Sequence, residues 1–174
     1  MRKIAVAVIL VLLSAAVAAH AAEYYTKHKG DKRRGQPTDG MALVYVFRPA
    51  VVGAAIKTWA FADDQLIGVS KGKGYSFALV PEGKHIFWSK AENTSALELE
   101  VKGGETYYFK QSIRMGLAKA RIKMVQVSKE EAEKYFKKCS YCEPTEEGKR
   151  RATEIAANRI DRAEKKADER GEPE

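Results

Sequence analysis

The sequence predicts a small all-β sandwich followed by one packed helix. Three observations predict it. Between Met41 and Val127, short runs rich in Val, Ile, Tyr, Phe and Trp recur at regular spacing, giving seven or eight candidate strands bounded by Gly, Pro or Asp. One of them, Leu97 to Lys102, alternates apolar and charged residues, the pattern of a strand with one buried face. Beyond Val127 the period changes: Ala132, Tyr135, Phe136 and Cys139 fall at i, i+3, i+4 and i+7, one apolar stripe on a helix.

In chain order, Arg2 and Lys3 precede an apolar run from Ile4 to Ala19, broken only by Ser14. Ala19-His20-Ala21 then supplies the small-x-small pattern of a signal-peptidase site. Residues 1–21 therefore read as a signal peptide cleaved after Ala21, too short for a stable transmembrane anchor. The expected location is outside the cytoplasm, periplasmic or secreted. No cysteine stands beside the cleavage site, so lipid attachment there is not expected. Residues 22–40 follow as a basic linker. Lys27, Lys29, Lys32, Arg33 and Arg34 are interspersed with Gly30, Gly35, Pro37 and Gly40, leaving little to bury.

The character changes at Met41. Leu43-Val44-Tyr45-Val46-Phe47 is continuously apolar, as in a strand buried on both faces, and Arg48-Pro49 ends it. Lys57 to Ala62 places Trp59 and Phe61 on one face; Asp63-Asp64 turns the chain into Gln65 to Val69, forming a hairpin. Tyr75 to Leu79 alternates, Pro81-Glu82-Gly83 turns, and Lys84 to Ser89 returns. After the Leu97–Val101 strand, Gly103-Gly104 leads into Thr106 to Phe109, and a last strand runs from about Arg121 to Val127.

Ser128 and Glu131 then form the S-x-x-E box that starts a helix. Its stripe should pack on the sheet through Tyr135 and Phe136. The β-sandwich domain with its helix thus spans 41–142. Residues 143–174 form a charged tail. Ala152, Ile155, Ala156, Ile160, Ala163 and Ala167 make only a thin stripe, so a frayed helix or a disordered tail is expected.

Several pieces occur together and in order: Phe47-Arg48-Pro49, Ile67-Gly68, Pro81-Glu82-Gly83-Lys84-His85 and Gly104-Glu105-Thr106-Tyr107-Tyr108. Over about residues 41–127 this resembles bacterial domain-of-unknown-function family 2846. The resemblance implies a small exported envelope protein, often a lipoprotein in that family, with a transthyretin-like or PEGA-like sandwich. It carries no catalytic residues. The charged tail and the missing lipoprotein cysteine depart from the family pattern.

Loss of the leader removes Arg2 and Lys3, taking 31 basic residues to 29 against 23 acidic ones and the formal charge from +8 to +6. In the cytoplasm such a balance would raise nucleic acid as a partner. Export points instead to an envelope protein or an anionic envelope polymer. The basic linker residues are the candidate contacts. Arg48, ending a buried strand, is a candidate carboxylate fork or a structural group paired near the strand end.

Cys139 and Cys142 are the only cysteines. An oxidising compartment favours a structural disulfide between them, or they rest as a passive pair. A thiol–disulfide oxidoreductase is the alternative, but a helix C-terminus disfavours thiolate. A hydrolase using His85 is a second alternative, with no nucleophile elbow around Ser89. His28 and His85 lie too far apart in sequence from the cysteines to suggest a metal site, and no cofactor is expected. The expected function is a non-enzymatic envelope module that binds or scaffolds another component.

Overall fold

The computed structural model describes residues 23–115 and 120–168. The signal-peptide expectation falls outside them. Strand β2 (Met41–Arg48) organises the fold. Its apolar run is buried on both faces, as predicted. Ala42, Val44 and Val46 point into a core with Ala60, Ile67, Phe87 and Phe109. Leu43, Tyr45 and Phe47 point the other way, onto Tyr75, Phe136 and Tyr141. One strand therefore joins two layers of core.

The remaining strands are β1 (Tyr25–His28), β3 (Thr58–Ala62), β4 (Gln65–Ser70), β5 (Gly74–Pro81), β6 (Gly83–Lys90), β7 (Thr94–Val101), β8 (Thr106–Met115), β9 (Ala120–Gln126) and β10 (Ser140–Pro144). They form a six-stranded sheet in the order β1-β10-β5-β2-β8-β9 and a four-stranded sheet in the order β4-β3-β6-β7. The protein is a small β-sandwich. Gly68 on β4 faces Ser76 on β5 so closely that a Cβ at residue 68 would stand 2.1 Å from the Ser76 Cβ. Only glycine fits that crossing.

The sandwich is closed along its β7–β9 side by side chains. The Asn93 amide pairs with both backbone groups of Ile122: Oδ1 accepts from its N–H at 2.6 Å and Nδ2 donates to its carbonyl at 3.2 Å. Ser95 Oγ accepts from the Met124 N–H at 3.1 Å. These bonds occupy the outward groups of an edge strand that would otherwise offer itself to another chain.

Each sheet carries a helix on its outer face. Helix α1 (Lys129–Lys138) begins at Ser128, whose hydroxyl accepts from the Glu131 N–H, and has acids in its first turn and lysines in its last. It sets Phe136 edge-on to Tyr45, Phe47 and Tyr75, with ring centroids 4.7–5.2 Å apart. Helix α2 (Glu146–Asp168) lies on the four-stranded sheet. There Ala152 and Ala156 are buried against Trp59, Phe61, Val69 and Trp88. The architecture is helix, sheet, sheet, helix.

Two expectations are corrected. Residues 22–40 are not merely a linker: β1 pairs antiparallel with β10 from Tyr25↔Pro144 to His28↔Tyr141. The following strap is tied down by polar contacts. Lys32 Nζ donates to the Cys139 carbonyl at 2.6 Å, Tyr75 Oη to the Arg33 carbonyl at 2.6 Å, and the Gly35 N–H to Tyr45 Oη at 2.8 Å.

Nor is the tail only frayed charge, since its first turns dock. Thr145 Oγ1 accepts from the Gly148 N–H at the helix start. Gly148 lies against the Tyr24 carbonyl, where a Cβ would stand 2.0 Å away. Small residues suffice on α2 because the aromatic bulk is already on the sheet.

Candidate functional site

Trp88 and Phe61 are neighbours on β6 and β3 and stack with centroids 4.1 Å apart. The Trp88 indole N–H donates to the Asp63 carbonyl at 2.5 Å, so the ring is fixed at both ends. Helix α2 crosses above it and leaves a groove of about 300 Å³, lined by Trp88, Lys90, Thr94, Arg151, Asn158 and Arg159 among others. The Arg159 guanidinium sits 4.7 Å from the Trp88 ring centroid. Arg151 is paired with Glu154. Among the described residues, neither Lys90 nor Arg159 enters a salt bridge. Arg159 also borders a second hollow of about 220 Å³ with Asp63, Asp64 and Ala156.

Asp63 anchors this face. It occupies the left-handed region at φ 51°, and its Oδ1 accepts from the Ile86 N–H at 2.8 Å. Burial alone would raise its carboxyl. The bonds from His85 and Ile86 and the nearby positive charge outweigh that and hold it below the usual carboxylate range.

His85 sits 2.6 Å from Asp63 Oδ2 through Nδ1, and 2.8 Å from the Pro81 carbonyl through Nε2. An acid is therefore within reach, yet both ring nitrogens face acceptors. The imidazole thereby staples two turns together.

The cysteines do not form the expected disulfide; both are free and buried. The reason is geometric. Helix α1 stops at Lys138 and Cys139 is already extended at φ −105°, ψ 153°. Three residues apart on extended chain, Cys139 and Cys142 point to opposite faces, with Cα atoms roughly 10 Å apart, beyond the span a disulfide bridges. Cys139 packs with Tyr75 and Phe136, whereas Cys142 Sγ faces Gly74. Burial pushes both thiols up to about 11, although nearby lysines pull the other way.

Arg48 is fully buried and pairs with carbonyls rather than an acid. Its Nη2 donates to Gly53 O at 2.8 Å and to Val52 O at 3.3 Å, while Nε and Nη1 have no hydrogen-bond partner among the described residues. Desolvation lowers its pKa.

Most of the basic strap is also committed internally. Lys27 Nζ donates to Gly72 O at 3.0 Å. Arg33 approaches Asp31 and Glu143 and lies 4.8 Å over the Tyr141 ring. Arg34 grips Glu133 with two bonds of 2.7 and 2.9 Å and lies 3.8 Å over Phe136. Lys29 is exposed.

The groove cations Lys90, Arg151 and Arg159 were not among the residues the sequence singled out. The one available signal was the Ala152-Ile155-Ala156 stripe, which docks α2 and so carries Arg159 to Trp88. Among the described residues, no cluster of His, Cys, Asp and Glu is placed to hold a metal ion, and no helix is long and apolar enough to cross a membrane.

Comparison with known proteins adds a family and a relative. A 108-residue stretch is 27% identical to an uncharacterized protein of Haemophilus influenzae, covering 62% of this chain and 64% of that relative. The match thus spans just under two thirds of the relative's length. No solved structure matches. Residues 38–124 match the family described as Protein of unknown function (DUF2846). That segment runs from the turn before β2 into β9 and contains the Arg48 clamp, the Gly68 crossing and the His85 staple. The chain belongs to the DUF2846 family.

Proposed function

We propose that this protein is an exported, non-enzymatic module of the cell envelope that binds an acidic envelope polymer along its α2 face. The groove carries this reading. Among the described residues, Lys90 and Arg159 have no salt-bridge partner there, and they stand beside an indole and two neutral hydrogen-bonding side chains, Thr94 and Asn158. A guanidinium fork suits a carboxylate, and hydroxyl and amide groups suit sugar hydroxyls. A groove of about 300 Å³ is at the small end for ligand sites and fits one charged ring at a time. The leader-like residues 1–21 support the location.

The enzymatic alternatives have less behind them. The thiols of Cys139 and Cys142 are buried with raised pKa, contrary to the exposed, acidic thiol that exchange chemistry uses. His85 has both nitrogens engaged.

The test is retention of the exported protein on immobilised polygalacturonate across a salt gradient, with intact mass reporting whether residues 1–21 are gone. The expected result is salt-sensitive retention that is lost in the double variant Lys90→Gln, Arg159→Gln. Retention unchanged by those substitutions, or none at low salt, contradicts the reading.

A further inference from the structure

Charge is segregated along the strands of the six-stranded sheet. Register brings several termini to one end: Arg48 opposes Gly74, Ser140 opposes Gly74, and His28 opposes Tyr141. That end therefore holds the 49–57 loop, the 71–73 turn, the chain after β1 and the C-terminus of α1. Direct bonds confirm the neighbourhood. Lys27 reaches Gly72 O, Lys32 reaches Cys139 O, and the Ser140 N–H donates to Lys73 O. The same end displays Lys29, Lys32, Lys71, Lys73, Lys137 and Lys138, all of them exposed or half-exposed. Asp31, Glu143 and Glu92 are the nearby acids; Arg33 pairs with Asp31 and Glu143, and His28 also meets Glu143. The opposite end gathers Asp39, Glu82 and Glu105 beside Lys102, and there the Gly103 N–H donates to Glu82 Oε2 and the Glu82 N–H to Gly40 O.

At the tip of the lysine-rich end stand Val51 and Val52, 59% and 56% exposed. Among the described residues only Ile86, at 38%, is another exposed large apolar side chain. This tip is held outward. The buried Arg48 clamps the loop by its Val52 and Gly53 carbonyls, and the 71–73 turn packs beneath it, with the Cβ position of Gly72 2.8 Å from Ala50 O. An apolar pair presented inside a ring of lysines matches a bilayer interface, whose phosphates attract lysine and whose acyl boundary accepts valine.

We propose that this end of the sandwich docks on the surface of an anionic phospholipid bilayer, with Val51 and Val52 seated at the headgroup–acyl boundary. An acidic protein would use the lysines but would have no need of two outward valines on a clamped loop. The inference shares with the proposed function only the extracytoplasmic location. It concerns a different surface, so the polygalacturonate assay and the vesicle assay fail independently.

The test is sedimentation of the exported protein with vesicles of phosphatidylglycerol and phosphatidylcholine, against phosphatidylcholine alone. Binding is expected only with the anionic lipid. Partition should fall about fivefold per lysine removed, hence about a hundredfold for Lys71→Gln, Lys73→Gln, Lys138→Gln together. Val51→Asp, Val52→Asp should reduce it severalfold, and Lys102→Gln at the far end should leave it unchanged. Melting curves confirm that each variant is folded. Absence of binding to the anionic vesicles overturns the proposal. So does partition insensitive to either the lysine or the valine substitutions, the outcome expected if the lysines serve an acidic protein instead.

Discussion

The two outer faces of the sandwich are covered in opposite ways. On the six-stranded sheet, α1 brings the bulk: Phe136 drives edge-on into Tyr45, Phe47 and Tyr75. On the four-stranded sheet the bulk belongs to the sheet, and α2 brings mainly Ala152, Ala156 and a half-buried Ile155 against Trp59, Phe61 and Trp88. The first is a large knob in an aromatic socket. The second is a smooth helix laid on a flat aromatic floor. A helix that contributes little volume can sit close, and its charged side chains then line a groove over Trp88.

Phe136→Ala is the largest way to break this contrast. Removing a buried phenylalanine costs about 3–5 kcal/mol, and the loss should appear in urea unfolding as a lower midpoint with an unchanged slope. Gly148→Ala tests the other face. The new Cβ meets the Tyr24 backbone at 2.0 Å, which a helix relieves only by moving. A destabilisation of about 1–3 kcal/mol is expected, with hydrogen-exchange protection lost over α2 and kept over α1.

The difference between the faces also explains which parts were legible in the sequence. The α1 stripe contains Tyr135 and Phe136, so periodicity alone predicts a packed helix. The α2 stripe contains mostly alanine, and its burial depends on aromatics more than sixty residues away. β1 and β10 were invisible for a related reason. Neither Tyr25-Thr26-Lys27-His28 nor Ser140-Tyr141-Cys142-Glu143 carries the alternation or length of a strand, and each is extended because it pairs with the other. The bridge between Cys139 and Cys142 was expected from the oxidising compartment, which says nothing of backbone geometry; ending the helix at Lys138 separates the two residues on extended chain. By contrast, Leu43 to Phe47, the 63–64 turn and the Leu97–Val101 alternation are local patterns, and each stands where it was expected.

Two smaller substitutions sharpen the comparison. Asp63→Asn keeps a residue tolerant of positive φ while removing the charge beneath the α2 face. The Asp63 carboxyl is held low in the folded protein. Its contribution is therefore in full force above the unfolded carboxylate pKa near 4 and is lost as pH falls through the folded value. With a side chain about half exposed, solvent screening keeps the effect to roughly 0.5–1 kcal/mol at pH 7. The gap between wild type and variant in thermal melts should begin to narrow below about pH 4 and close only once the pH has fallen below the folded carboxyl's own pKa. On the α1 face, Arg34→Ala removes the fork on Glu133 and the cation over Phe136. Both ends of that pair are partly solvated, so a loss of only about 0.5 kcal/mol is expected, best read as a shift in urea midpoint.

The central claim is that α2 belongs to the fold although its sequence reads as solvated charge. Native-state hydrogen exchange on the free, monomeric protein tests it most directly. Amides from Ala152 to Ala156, buried on the aromatic floor, should exchange slowly, with protection that rises and falls together with that of β3 and β6. Rapid exchange throughout α2 beside a fully protected sandwich would contradict the claim, and with it the groove that α2 forms over Trp88.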